Sequence, residues 1–260
     1  GNKIASRDIF GNETRYDYDD LNRLVKTIYP ECRGPDQKNC TPIYKKAYDI
    51  LDNVTKETDE NGNVTHYEYT IRNQPTKILY PDGSVEKFEY NLNGTLAKKW
   101  AKNGSKTSYS YDFFGRLLET QVYDEKNTLL YTTKNSYSTF HLHSTTDALG
   151  YKTYYNYDGA GRLIEEYKKA DDSFTKTTFD YDALGRLTLK KEWYDESEKD
   201  FLVTGFKYDA LDRVISERQE TAHGTLLSKV RTAYDIFGNI TKVTRFITEE
   251  ETACTETVYD

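Results

Sequence analysis

One short phrase recurs from end to end of this chain. In Phe179-Asp180-Tyr181-Asp182-Ala183-Leu184-Gly185-Arg186-Leu187 it reads as strand, tight turn and returning strand. Phe179 and Tyr181 stand two apart and so share one face of a strand. Asp182 can accept hydrogen bonds from the turn amides that follow it. Gly185 can take the positive φ that closes a type I turn into a hairpin.

The repeat is best counted from the tyrosine before the turn. It stands at Tyr18, Tyr48, Tyr69, Tyr90, Tyr111, Tyr157, Tyr181, Tyr208 and Tyr234, with a cut-short copy at Tyr259-Asp260. Four residues after these nine anchors come Asn22, Asp52, Asn73, Gly94, Gly115, Gly161, Gly185, Asp212 and Gly238. Only Gly, Asn and Asp occur there, the types that tolerate the left-handed region. Six residues after the anchors the chain is aliphatic, except at Pro75. Five residues after, Arg23, Arg116, Arg162, Arg186 and Arg213 lie within reach of the turn aspartate. Gly11, Gly62, Gly83, Gly104 and Gly150 each precede an anchor by seven residues and mark turns at the other end of the strands.

This pattern predicts an all-β fold, with tandem β-hairpins forming a continuous, curved antiparallel sheet. Residues 1–260 read as a single repeat array with no linker. The insertion 30–43, bounded by Cys32 and Cys40, accounts for the 30-residue step from Tyr18 to Tyr48; the following steps are 21, 21 and 21. From Tyr111 to Tyr157 the step is 46, which a degenerate copy at Tyr137-Ser138-Thr139-Phe140-His141-Leu142-His143 would fill. Later repeats are longer, with added polar stretches such as Glu196-Ser197-Glu198-Lys199-Asp200 read as loops or single helical turns.

Composition narrows the function. Hydrophobic content is 36%, yet 24 residues are Tyr, which suits an aromatic sheet face better than an aliphatic core. Net charge is −7, which argues against a nucleic-acid surface. There is no long apolar run, so this segment does not insert in a membrane by itself. The absence of Met reads as a piece of a longer chain.

Candidate chemistry is sparse. Cys32 and Cys40 either close their loop as a disulfide in an oxidising compartment or remain free thiols; Cys254 is left over. His141 and His143 alternate on an expected strand, where they would share a face; a metal pair and two surface histidines are the competing readings. The carboxylates fall at turn positions that already explain them. No catalytic residue, metal site or cofactor is expected, and the chain reads as non-enzymatic. The tyrosine rows either stabilise the sheet through cross-strand pairs or stack sugars.

The phrase Gly-x-x-Thr-x-Tyr-x-Tyr-Asp-x-x-Gly-Arg-Leu resembles the RHS, or YD, repeat. It is carried by Gly104, Thr107, Tyr109, Tyr111, Asp112, Gly115, Arg116 and Leu117, and again by Gly150, Thr153, Tyr155, Tyr157, Asp158, Gly161, Arg162 and Leu163. Tyr181, Asp182, Gly185 and Arg186 repeat its turn. The family includes bacterial polymorphic toxins, toxin-complex C components, wall-associated proteins and teneurins. The resemblance implies a segment of a spiralling β-shell in a secreted or cell-surface protein of bacterial origin. Implied partners are other repeats of the parent chain and an encapsulated effector domain, or a surface glycan in an adhesive role. The family's plug segment, with its autoproteolytic aspartate, and a toxin domain are not recognisable, so neither activity carries over to any residue here.

Overall fold

The computed structural model describes residues 1–33, 39–170, 173–193, 199–246 and 252–256. Every pairing between its strands is antiparallel and links neighbours along the chain, and no helix occurs among the described residues. The chain divides into two compact units, Gly1–Thr132 and Thr133–Asp260. The division falls inside the strand Leu129–Tyr137, so no linker marks it.

The first unit is a meander. Ala5–Arg7 pairs with Glu13–Tyr18, which pairs with Leu24–Ile28, and so on through Leu117–Tyr123. The insertion leaves this sheet and forms its own two-stranded ladder, Cys32–Arg33 against Asn39–Cys40. In the second unit the ladder runs from Tyr137 in the shared strand through Leu142–Thr146 and Lys152–Tyr157 to Thr252–Glu256. Cys254 lies in that last strand. The truncated copy at Tyr259-Asp260, the turn residues 34–38 of the insertion and residues 196–198 of the polar stretch lie outside the described residues.

Each anchor tyrosine is also the site of a bulge. Asp180 pairs with Leu189 but Tyr181 pairs with Leu187, leaving Thr188 as the extra residue. The same one-residue shift recurs at Tyr18, Tyr48, Tyr90, Tyr157 and Tyr234. A bulge bends its strand and tightens the local twist. Pro75 fits because it is the first residue of its strand, where a missing N–H is tolerated.

Among the described residues no apolar side chain is buried; only Thr27 and Thr204 are. The largest exposed apolar side chains sit at turn tips, such as Ile50, Phe113 and Ile236. Among the described residues the strands pack on their neighbours along the chain, with Leu24–Ile28 meeting Ile43–Tyr48 across the insertion, so stability comes from interfaces between consecutive repeats, as in other repeat arrays.

Candidate functional site

The recurring unit of chemistry is the turn itself. At Asp182 the backbone N–H donates to the Arg186 carbonyl (2.9 Å), and the Gly185 N–H donates to the Asp182 carbonyl (3.0 Å). Gly185 sits at φ +84°. One carboxylate oxygen of Asp182 accepts from the Leu184 and Arg186 amides, both at 2.9 Å. The other accepts from Arg186 Nε at 2.7 Å. Asp112 and Asp158 hold Arg116 and Arg162 in the same way, at 2.6 and 2.7 Å. All nine residues four after an anchor have positive φ, from +59° at Asn73 to +92° at Gly238.

These bonds hold the turn carboxyls below the usual aspartate range. For Asp158 and Asp182 the backbone amide of the arginine is the leading cause, ahead of the guanidinium, with burial opposing.

Consecutive repeats are locked by two further contacts that periodicity does not reveal. First, the anchor hydroxyl donates to a backbone carbonyl of the preceding hairpin, at the position six after that hairpin's own anchor. Tyr48 reaches Leu24 (3.0 Å), Tyr111 reaches Leu96 (2.9 Å), Tyr181 reaches Leu163 (2.8 Å) and Tyr208 reaches Leu187 (2.7 Å). Pro75 serves as well as any aliphatic residue, since Tyr90 needs only its carbonyl (2.9 Å).

Second, the turn arginine bridges forward. Arg186 donates to the Asp209 carbonyl (3.2 Å) and to Asp212 Oδ1 (2.7 Å), and its guanidinium lies over the Tyr208 ring. Arg162 does the same toward Asp182 and Tyr181, Arg213 toward Asp235 and Tyr234, and Arg23 toward Asp49 and Tyr48. At two places where arginine is missing an amide substitutes: Asn53 holds Asp49 and reaches Asn73, and Gln74 reaches the Gly94 carbonyl.

The degenerate copy follows the same logic. Its turn is one residue shorter, with the Ser138 N–H donating to the His141 carbonyl at 2.9 Å. His141 therefore takes the arginine's place, and its ring stacks on the next anchor, Tyr157, at 4.6 Å and 22°. This corrects the expectation that His141 and His143 share a strand face. His141 belongs to the turn, whereas His143 lies in the strand Leu142–Thr146, edge-on to Tyr154. No group of three metal-ligating side chains occurs among the described residues.

The Cys32 and Cys40 sulfurs face each other at 3.3 Å. On the tyrosine face, Glu57 accepts from Tyr44 (2.8 Å) and Tyr67 (2.7 Å). Burial, then the bond to Glu57, pushes both phenols up. Burial works against the Glu57 carboxylate, but the two phenols and Lys46 outweigh it and hold the carboxyl low. Ionised acid and neutral phenols are thus fixed in place, with no group left poised to exchange a proton near neutrality.

Interlocked turns on a meander without a buried core define a repeat scaffold. The family called RHS Repeat matches residues 48–85, within the most regular part of the array. No curated protein matches its sequence. Among solved structures, a crystal structure of TcdB2-TccC3-TEV aligns with 90% of this chain and 14% of its own, at 18% identity and TM-score 0.64. The Tc holotoxin pore of Photorhabdus luminescens aligns with 92% of this chain and 15% of its own, at 17% identity and TM-score 0.50. This chain thus corresponds to about one seventh of the length of either. The likeness establishes the fold, an array of antiparallel hairpin repeats.

Proposed function

We propose that this chain is a non-catalytic wall segment of a shell that encloses an effector domain, within an exported or surface-displayed bacterial protein. The observation that carries the reading is the forward lock from each turn to the next, as from Arg186 to Tyr208 and Asp209. Such a lock joins hairpins in series and needs no second layer to bury a core. Likeness in fold to a Tc holotoxin pore and to a TcdB2-TccC3 assembly supports the toxin context.

A non-enzymatic role is supported by the turn carboxylates, which are engaged by amides and guanidinium groups and so are poor general acids or bases. An adhesive role through sugar stacking is weakened by the same lock. The rings of Tyr48, Tyr181, Tyr208 and Tyr234 each carry an arginine within 4.9 Å of the centroid.

The test is electron cryo-microscopy of the complete parent protein with limited proteolysis. A closed wall around a protected domain is expected. A parent in which the repeats form an open sheet, with every domain cut at the rate of free polypeptide, overturns the proposal.

A further inference from the structure

Many of the strand cations fall on the face of the sheet away from the anchors. Residues paired across antiparallel strands share a face, and neighbours along a strand oppose each other. Lys207 therefore lies opposite its neighbour Tyr208, the anchor. Register places Lys207 beside Ser216 and Ser216 beside Arg231, while Gly205 pairs with Arg218 and Arg218 with Lys229. In the first unit Lys45 pairs with Lys26, and Ala47, next to the anchor Tyr48, pairs with Lys56. The face away from the anchors is thus rich in cations, although the chain carries a net −7.

Two depressions sit on this face where a small residue leaves room among the cations. One, of about 520 Å³, is lined by Lys207, Arg218, Lys229 and Arg231 around Gly205 and Ser216. The other, of about 310 Å³, is lined by Lys26, Lys45 and Lys56 around Ala47. Acidic neighbours offset part of the charge: Glu220 pairs with Arg218, and Asp17 lies 3.4 Å from Lys26. Lys229 and Arg231 both lie over the Phe246 ring, which fixes them at the rim.

We propose that this face of each unit is a docking surface for an acidic polypeptide, with the Gly205 depression of the second unit and the Ala47 depression of the first each seating carboxylates. Elsewhere on the same face the chain already shows that chemistry, in the cross-strand pairs Lys77–Glu68 (2.8 Å) and Lys98–Glu89 (2.9 Å). Every cation of the Ala47 depression is a lysine, and the Gly205 depression carries two lysines and two arginines. Lysine offers point charges suited to scattered carboxylates, whereas arginine's planar fork is favoured for phosphate. Asp182, Asp209 and Asp235 line the turns at one end of these strands. A broad polyanion overhanging that edge meets their repulsion, and a single extended chain lying between the turn rows does not.

The test is fluorescence anisotropy with a labelled Glu-rich peptide on the whole chain at low and physiological salt. A duplex oligonucleotide and a sulfated polysaccharide serve as competing probes. The expected result is salt-sensitive peptide binding. It should weaken at least tenfold in Lys207→Glu/Arg231→Glu and again in Lys45→Glu/Lys56→Glu. Lys190→Glu, on the tyrosine face, should change it less than twofold. Circular dichroism confirms that each variant keeps its strands. Equal binding in all variants overturns the proposal, as does binding of the oligonucleotide or polysaccharide in preference to the peptide.

Discussion

The guanidinium of Arg186 lies 4.9 Å from the ring centroid of Tyr208, one repeat further along the chain. The same side chain grips Asp182 in its own turn and Asp212 in the next. A planar fork that both stacks and donates on several sides is a property of arginine that lysine lacks. Arg186→Lys should therefore lower the thermal midpoint of the second unit by about 2–4 °C, although charge is conserved. Calorimetry of the two proteins measures it, and an unchanged midpoint would show that the forward bridge is dispensable.

The hydroxyl of Tyr90 isolates the other half of the lock. It donates to the Pro75 carbonyl at 2.9 Å. Tyr90→Phe keeps the ring and removes only that bond, so a loss of about 0.5–1.5 kcal/mol is expected from urea unfolding. The loss should be nearly the same in a Pro75→Val background, because the acceptor is a backbone carbonyl.

Gly185 tests the turn. At φ +84° a β-branched side chain is strained whatever room surrounds it. Gly185→Val should cost about 1–3 kcal/mol. Gly185→Asn should cost much less, since Asn22 occupies the equivalent place at φ +64°. Equal losses for the two would mean that contact with Arg162, not backbone strain, governs the position.

The turn carboxyls also set the response to acid. Their folded values lie below the usual aspartate value of 3.8, as at Asp158 and Asp182. The unfolded chain therefore binds protons more readily than the folded one as pH falls through that range. The turns' contribution is complete above it and is lost as pH drops below 3.8 toward the folded values. Unfolding midpoints measured between pH 7 and pH 2 should stay level at first and then fall. Asp182→Asn should flatten the acid limb in proportion to one turn.

Much of this was legible in the sequence because a turn needs particular residue types at fixed offsets. The spacing of Tyr181, Asp182, Gly185 and Arg186 predicts the hairpin, and positive φ appears at all nine expected positions. The locks were not legible. The acceptor for Tyr90 is a carbonyl, which leaves no mark on residue type, and the distance back to it varies from 15 residues at Tyr90 to 24 at Tyr48. The turn Asp124–Asn127 escaped because its left-handed residue, Asn127 at φ +64°, falls outside the glycine series. His141 escaped because a turn one residue shorter shifts the arginine's role onto another residue type. The cationic face was hidden within a negative total, since alternation along a strand sends adjacent charges to opposite sides.

The insertion offers a prediction independent of the repeats. Cys32 and Cys40 are register partners with sulfurs 3.3 Å apart, both exposed. Equilibrated with a small-molecule disulfide, the pair should lose two hydrogens and close, each thiol passing its electrons to the oxidant. Closure of so short a loop restricts the unfolded insertion by roughly 2–3 kcal/mol on the chain-entropy account. Peptide mapping after alkylation should show a linked 32–40 fragment and no label at either cysteine, while Cys32→Ser leaves Cys40 fully alkylated. Full labelling of both after oxidation would place the functional protein in its dithiol form and remove one support for an exported origin.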